Sequence, residues 1–364
     1  MMTIGVLLTY SGREFVKRWW AMRNRVRIGG GVVSLLLAIG CIVGVGRKAR
    51  GDVFNLPSGQ TSLQFVTVGD PGNAPDTTGY GAVPYTYQMG KYDITVAQYT
   101  QMLNSVAQTD AYGLWDGNMT PGSTNGSCGI VRSGSPGSYS YSYASANGNF
   151  PVNEVSWGDA ARFCNWLANG QPSTGVESST TTEDGSYALN GALTDEALNL
   201  VARSPNATYV IPTENEWYKA AYGSPSGGYS LYPTGSNNAP SNVLSMTGTN
   251  NGNFGDPNLG YTDPINFLTP VGFFADSPSG WGTYDQGGDV FQWNEAIVNG
   301  GRQIRGGAFG TQVAALESDS SFIAAPSEYE SVVGFRVAEV PEPGSVSLLA
   351  ITAIGLLLRR RAHP

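Results

Sequence analysis

The sequence contains almost no histidine and little charge. Its single histidine, His363, is the penultimate of 364 residues. A folded domain upstream therefore cannot contain a Ser-His-Asp triad, a Cys-His dyad, or a zinc or copper ion bound by histidine. Only 13% of the residues are charged, against about 25% in an ordinary soluble domain. This composition excludes a coiled coil and a charged disordered tail.

The abundant residues indicate a globular body with many loops. The chain has 49 glycines and 21 prolines, but 41% of its residues are apolar and 11% are aromatic. Glycine and proline together stay below the roughly 25–30% that is typical of structureless chains. Because the apolar and aromatic residues suffice for a core, we predict a large, loop-rich globular domain.

Charge is distributed unevenly along the chain. Residues 1–51 hold nine basic residues and one acidic residue, whereas residues 52–340 hold eight basic and 26 acidic residues. An acidic body does not bind nucleic acid, which requires clustered Lys and Arg, and it favours divalent cations or basic partners. No spacing singles out a carboxylate pair for glycoside hydrolysis. We therefore predict that the acids are solvated surface groups and cation ligands.

The N-terminal segment, residues 1–51, has the pattern of a secretory signal. An uncharged apolar run over residues 28–46 follows a basic stretch and precedes Ala49-Arg50-Gly51, which is similar to a signal cleavage site. The apolar run is longer than a usual signal core, so an uncleaved membrane anchor is the alternative.

The C-terminal segment, residues 341–364, combines three features. Pro341-Glu342-Pro343 is followed by the apolar run 345–358, which is too short to span a bilayer comfortably alone, and then by Arg359-Arg360-Arg361. This order resembles the PEP-CTERM sorting signal of bacterial surface proteins; an ordinary tail anchor is the alternative. The resemblance implies export to the surface or extracellular matrix of a double-membraned bacterium. It also implies transient inner-membrane anchoring, with the arginines on the cytoplasmic side, and processing by an exosortase-type enzyme.

Three helices are predicted within residues 52–340, because apolar residues recur at helical spacing after polar start signals. The rest of this body reads as short strands and glycine-rich loops. The predicted helices follow Asp93-Ile94-Thr95, run from Ser156 (with Asp159 as capping partner) to Gly170, and run from Thr213 (with Glu216 as capping partner) to Gly223.

Six motifs in this body resemble those of the formylglycine-generating enzyme, or sulfatase-modifying factor, family, and they occur in the family's order. The resemblance implies one compact, irregular α/β (α+β) domain over residues 52–340, related to C-type lectins and poor in regular secondary structure. The motifs are Met89-Gly90-Lys91-Tyr92-Asp93-Ile94-Thr95-Val96-Ala97-Gln98-Tyr99, Pro151-Val152-Asn153-Glu154-Val155-Ser156-Trp157-Gly158-Asp159-Ala160, Ile211-Pro212-Thr213-Glu214-Asn215-Glu216-Trp217, Gly288-Asp289-Val290-Phe291-Gln292-Trp293, Arg305-Gly306-Gly307-Ala308-Phe309 and Gly334-Phe335-Arg336-Val337.

The family's enzymes oxidise a sulfatase cysteine with two copper-binding cysteines shortly after the fifth motif. In this sequence those positions fall at Thr311 and Leu316, and no cysteine follows Cys164. Without soft ligands no copper is expected, and we assign no catalytic residue. We predict a non-catalytic binding or structural module whose partner is an extracellular polysaccharide or a surface protein. The alternative is an oxidoreductase of this family that converts cysteine to formylglycine or performs a related oxidation.

The resemblance also implies a structural calcium site on the turn before Trp293. Carried over residue by residue, the ligands are the side chains of Asp285 and Gln292 and the carbonyl groups of Gly288 and Val290. Ca²⁺ accepts six to eight oxygen ligands in irregular geometry, so this set completed by water is chemically adequate. The alternative is a plain tight turn in which Asp285 and Gln292 bond to backbone amides.

Two cysteines, Cys128 and Cys164, remain after removal of the signal segment. In an oxidising compartment they are candidates for a disulfide. The alternative is that Cys164, on the apolar face of a predicted helix, is a buried small hydrophobe.

Three tyrosines, Tyr139, Tyr141 and Tyr143, alternate with serines, which predicts a strand with a tyrosine-lined face. That face can stack on a sugar or a protein partner. Alternatively, it packs inward on a half-buried strand.

Overall fold

The computed structural model describes Phe54, Leu56 and residues 58–60 and 62–341. The described part is a mixed α/β domain with few helices and small sheets, as predicted. Several segments singled out from the sequence lie outside it: residues 1–51, Glu342, Pro343, Arg359, Arg360 and Arg361.

The three predicted helices are confirmed, and each begins at its predicted position. A short further helix, which the sequence analysis did not anticipate, is capped by Thr194. The helices are α1 Val96–Val106, α2 Trp157–Ala168, α3 Asp195–Asn199 and α4 Glu214–Tyr222, with 3-10 turns at Gly117–Met119, Ser145–Asn147 and Val313–Leu316.

Each predicted helix starts with a capping box. In α2 the Ser156 hydroxyl accepts from the amide of Asp159 at 3.1 Å, and the Asp159 carboxylate accepts from the amide of Ser156 at 2.9 Å. These bonds satisfy two amides that a helix start otherwise leaves without partners. Thr95 and Thr213 serve α1 and α4 in the same way.

The strands are short and form two four-stranded sheets and two hairpins. The strands are β1 Phe65–Val68, β2 Tyr87–Gly90, β3 Ile130–Ser133, β4 Ser140–Tyr143, β5 Tyr209–Val210, β6 Gly255–Asp256, β7 Gly260–Tyr261, β8 Phe291–Val298, β9 Gly301–Arg305, β10 Phe322–Ala324, β11 Val333–Gly334 and β12 Ala338–Glu339. The sheet orders are β1-β2-β12-β5 and β10-β9-β8-β11, and the hairpins are β3-β4 and β6-β7.

The first sheet joins parts of the chain that are far apart in sequence. In β12, Ala338 lies opposite Met89 of β2 on one side and Val210 of β5 on the other. In the second sheet, β11 runs parallel to β8 with Val333 opposite Phe291. The end of the domain is therefore paired with its beginning and its middle.

The core lies between α1, α2 and the strand that leads to β12, and it is rich in aromatic rings. The Phe163 ring of α2 packs edge-on against Phe335, with centroids 5.4 Å apart, and stacks near Tyr99 of α1 at 6.1 Å. All three side chains are fully buried. This packing fixes Arg336, the residue after Phe335, in the interior.

Candidate functional site

The turn that carries the predicted calcium ligands is tightly folded. Asp285, Gly288 and Asp289 all have left-handed backbone angles, with φ of 58°, 89° and 63°. Gly288 lies against the carbonyl oxygen of Asn253, so closely that a Cβ atom would overlap it. Its amide donates to the carbonyl of Gly306 at 2.8 Å, which ties this turn to the Arg-Gly-Gly motif.

Arg336 is fully buried beneath this turn. Its Nε donates to Oε1 of Gln292 at 2.6 Å, and Nη1 donates to the carbonyl of Gly90 at 2.9 Å. Its Nη2 donates to the carbonyl of Tyr284 at 2.9 Å and lies 3.2 Å from the carboxylate of Asp93. Burial outweighs this ion pair and raises the pKa of Asp93 to about 8.

Gln292 uses both ends of its amide within the protein. Oε1 accepts from Arg336 and also from the indole Nε1 of Trp217 at 2.7 Å. Its Nε2 donates to the carbonyl of Asp285 at 2.9 Å. The two acceptor directions of an amide oxygen are therefore filled by N–H groups.

The two aspartates of the turn differ in their contacts. The half-buried Asp285 accepts from the amide of Gly272 at 2.6 Å, and burial raises its pKa to about 6. The buried Asp289 carboxylate accepts from the amide and hydroxyl of Thr269 and from Nδ2 of Asn253. Burial raises the pKa of Asp289 well above its usual range.

These contacts do not fit a calcium ion in the arrangement that the resemblance implies. The structure brings Asp285, Gly288, Val290 and Gln292 to one turn, but a cation would have to displace N–H donors from Gln292. Within the described residues, no group of three or more His, Cys, Asp or Glu side chains could hold a metal. Calcium at this turn stays a prediction.

The two positions that the resemblance assigns to the copper-binding cysteines, Thr311 and Leu316, lie close together, and neither side chain is a metal-binding thiol. The Thr311 hydroxyl accepts from the amide of Ala308 and donates to its carbonyl, both at 2.9 Å. Leu316 is fully buried in a small apolar cluster with Tyr232. A Cβ atom on Gly307 would lie 2.6 Å from Leu316 Cδ1 and 3.1 Å from Thr311 Oγ1. The two side chains therefore converge beside this glycine.

A small cleft of ≈ 200 Å³ adjoins Thr311. The amide of Gly255 donates to the carbonyl of Thr311 at 2.7 Å, which places the β6-β7 hairpin along one side. Leu259 and Tyr261 of this hairpin region are 70% and 43% exposed. The lining residues are Gly255, Asp256, Pro257, Gly260, Tyr261, Gly310 and Gln312.

The two cysteines, which are candidates for a disulfide, are free thiols in the structure. Cys128 is buried in a loop, and its Sγ donates to the carbonyl of Asn153 at 3.8 Å. Cys164 lies on the buried face of α2 beside Phe163. Burial raises the pKa of Cys128 to about 12 and that of Cys164 well above its usual range. The alternative, buried thiols, is what the structure shows.

The tyrosines around β4 face inward. Tyr141 is 5% exposed, and its hydroxyl donates to the carbonyl of Ala107 at 2.8 Å, whereas Ser140 and Ser142 are exposed. Tyr139 packs on the guanidinium of Arg132. This strand follows the second of the two predicted arrangements, so it does not offer a tyrosine-lined binding face.

Sequence reasoning did not find the buried ion pairs. The prediction of solvated acids fails for several carboxylates, because they are buried against arginines: Arg162 with Glu183, Arg203 with Glu216 and Glu295, Arg305 with Glu214, and Arg336 with Asp93. Among these residues, those that lie in the six motifs carried the one sequence signal of a structural role: Asp93, Glu214, Glu216, Arg305 and Arg336.

Comparisons with known proteins agree with this architecture. Residues 52–340 match the model of the sulfatase-modifying factor enzyme 1-like domain, and residues 339–361 match the PEP-CTERM protein-sorting motif. No curated protein matches the sequence. Fold and motifs define an exported, cell-surface protein with a formylglycine-generating-enzyme-like domain. The chain belongs to the sulfatase-modifying factor enzyme 1-like family, as the resemblance predicted.

Three solved structures are similar to this chain at low sequence identity. The crystal structure of CarF is 21% identical, with a TM-score of 0.44, and covers 77% of this chain and 98% of its own. Variable protein 1 of Treponema denticola is 18% identical, with a TM-score of 0.44 and coverages of 78% and 98%. PvdO from Pseudomonas aeruginosa is 18% identical, with a TM-score of 0.42 and coverages of 77% and 92%.

The described part of the chain contains no helix that is long and apolar enough to cross a membrane. Of the sorting residues, only Pro341 is described, and it follows β12 after one residue.

Proposed function

We propose that this protein is a non-catalytic binding or structural module on the cell surface, with an extracellular polysaccharide or a surface protein as partner. The observation that carries the proposal is the chemistry at Thr311 and Leu316. Thr311 has a hydroxyl bonded to its own turn, and Leu316 is a buried aliphatic side chain. The resemblance assigns these two positions to the cysteines that bind copper in the family's enzymes. Neither group is a soft ligand for copper.

The rival function is a cysteine oxidase or a related oxidoreductase, and membership of the family is what favours it. The two remaining thiols do not support that chemistry, because Cys128 and Cys164 are buried and their raised pKa values suppress the reactive thiolate.

A copper titration separates the two functions. Purified wild-type protein should bind Cu(I) no better than a variant in which Cys128 and Cys164 are replaced by Ala, and it should leave the cysteine of a sulfatase peptide unoxidised. The double variant T311C/L316C is the positive control, because its side chains converge beside Gly307, and it should gain Cu(I) binding. Turnover of the peptide by wild-type protein, detected by mass spectrometry, would refute the proposal.

We also propose that the sorting tail anchors the protein transiently in the inner membrane before an exosortase-type enzyme cuts it. The matched motif at residues 339–361 supports this. Mature protein from the host should lack residues beyond about Pro343. Replacing Arg359, Arg360 and Arg361 by Ser should release unprocessed protein to the periplasm or medium. An intact C-terminus on the mature surface protein would contradict this step.

A further inference from the structure

Lys219, on α4, is buried, and among the described residues its ammonium group has one hydrogen-bond acceptor. It is 2% exposed, and its Nζ donates to the carbonyl of Asp70 at 2.7 Å. An ammonium group has three N–H donors. The ring of Trp281 also lies near this group, with its centroid 6.0 Å from Nζ. Because burial outweighs the attraction of Asp70, the pKa of Lys219 is lowered from its usual value.

This lysine lines a cleft of ≈ 420 Å³, a volume within the roughly 300–1,000 Å³ of small-molecule sites. The cleft shares no lining residue with the small cleft beside Thr311. Both aromatic side chains and a polar loop line the cleft. The lining residues that matter are Asp70, Asn73, Asp76, Lys219, Tyr229 and Trp281.

Some polar groups around the cleft are hydrogen bonded within the protein, and one is left for a ligand. Asp76 accepts from the amide of Thr77 at 2.6 Å and from the hydroxyl of Tyr218. The Tyr229 hydroxyl and Nδ2 of Asn73 bond each other at 2.6 Å. The side chain of the exposed Asp70 makes no hydrogen bond among the described residues, so its carboxylate is available as an acceptor at the rim.

The charges select the class of ligand. Two carboxylates face one ammonium, so the cleft is negative overall and repels a polyanion. A cationic ligand would have to approach the Lys219 ammonium, which is already short of acceptors. A neutral, polyhydroxylated molecule avoids both penalties, because its oxygens accept from Lys219 and its hydroxyls donate to Asp70 through charge-assisted bonds. Trp281 supplies a flat apolar surface for the less polar face of such a molecule.

We propose that this cleft binds a neutral sugar unit of a polysaccharide, with Lys219 and Asp70 bonding its hydroxyl groups and Trp281 stacking on its ring. The inference rests on the proposed binding role and names its ligand class and site. It does not depend on the absence of copper chemistry.

The test is binding of the full-length protein to a glycan array that carries neutral and uronate-containing oligosaccharides. The affinity for the tightest neutral binder is then measured by isothermal titration calorimetry. We expect saturable binding to neutral glycans, a loss of at least tenfold in affinity for Trp281→Ala, and a similar loss for Lys219→Met, which keeps an unbranched side chain one atom shorter than lysine and removes the ammonium group. Tyr261→Ala, in the small cleft, is the matched aromatic control and should bind like wild type.

The thermal melting temperature of each variant shows that it folds, and Asp70→Asn provides a surface substitution that leaves the buried lysine in place. Asp70→Asn should weaken binding several-fold. Unchanged affinity in Trp281→Ala and Asp70→Asn would overturn the site while leaving the binding role intact. Preference for uronate oligosaccharides would overturn the ligand class, and no saturable binding to any neutral glycan would overturn the inference. Glycan binding together with cysteine oxidation would overturn the non-catalytic role alone.

Discussion

Arg336 binds acceptors from segments that lie far apart in the sequence. Its partners Gln292 and Gly90 are 44 and 246 positions away. The sequence marks Arg336 through its motif, but the contacts depend on how the two sheets bring these segments together. Motifs therefore locate the candidate site, whereas the use of the Gln292 oxygen as an acceptor for Arg336 could not be predicted from them.

Gly288 gives a test of how tightly the turn is closed. Gly288→Ala should destabilise the protein by roughly 2–5 kcal/mol, because a left-handed alanine costs about 1–2 kcal/mol and overpacking adds more. Gly300→Ala is the matched control, since Gly300 has φ of 85° but nothing within 4 Å of the added Cβ. Gly300→Ala should lower the free energy of unfolding only by the cost of a left-handed alanine, about 1–2 kcal/mol. If urea denaturation gave the same loss in the free energy of unfolding for both variants, the close approach of Asn253 to Gly288 would be contradicted.

Gln292 also allows a test of the calcium prediction. Gln292→Glu introduces a carboxylate, which can bind Ca²⁺ more strongly than an amide oxygen. Millimolar calcium, compared with excess chelator, should raise the melting temperature of this variant more than that of wild type, by mass action. Asp285→Ala should remove the increase in both backgrounds. Identical melting curves with calcium and chelator for wild type and Gln292→Glu would count against any calcium site at this turn.

At the scale of elements, helices could be predicted and most strands could not. The starts of α1, α2 and α4 depend on residues three positions apart, so the signal is local. By contrast, β5, β11 and β12 have only two residues each. Such strands have no detectable alternation, and their pairing is decided by distant parts of the chain. The short helix α3 was missed because five residues carry little periodicity.

The capping box of α2 predicts a measurable stability contribution. Ser156→Ala removes the hydroxyl that accepts from the amide of Asp159 in a buried position. We expect a loss of about 1–2 kcal/mol in the free energy of unfolding, the upper part of the range for N-caps. Ser140→Ala, at an exposed position of β4, is the control and should change stability by less than about 0.5 kcal/mol. A loss for Ser140→Ala as large as that for Ser156→Ala would contradict this role.

At the scale of the whole molecule, the basic residues of the described body are buried or half-buried. None of the eight Lys and Arg residues in the described part of the body is exposed, and five of the six arginines take part in ion pairs. The sequence could predict the acidic balance of the body. It could not predict that the few cations would be buried or half-buried, so that the fully exposed charged residues of the described part are all acidic.

Because several acids are buried, we expect the free energy of unfolding to fall as pH rises. Burial raises the pKa of Asp93 to about 8 and those of Asp159 and Glu177 to about 7. The folded state therefore binds more protons than the unfolded state between about pH 4 and 8, and the free energy of unfolding decreases across that window. The melting temperature should be lower at pH 8 than at pH 5. Asp159→Asn, which keeps an acceptor for Ser156, should make this dependence shallower.

A melting temperature that rises from pH 5 to pH 8 would contradict the prediction. The acids whose pKa is lowered, Glu216 and Asp263, act in the opposite direction, but their stabilisation is lost only in acid, below about pH 4.

The position of β12 sets the order in which an exported chain can fold. β12 lies between β2 and β5, yet it is the last strand of the domain, and Val340 directly after it bonds to the carbonyl of Thr208. A chain that crosses the membrane from its N-terminus must keep the facing edges of β2 and β5 open until residues 338–340 emerge. The sorting motif begins at that same point. The sheet is therefore completed at the same time as the sorting signal emerges. A chain that is truncated before β12 lacks the sorting signal and also keeps two unpaired strand edges, which expose it to aggregation or proteolysis.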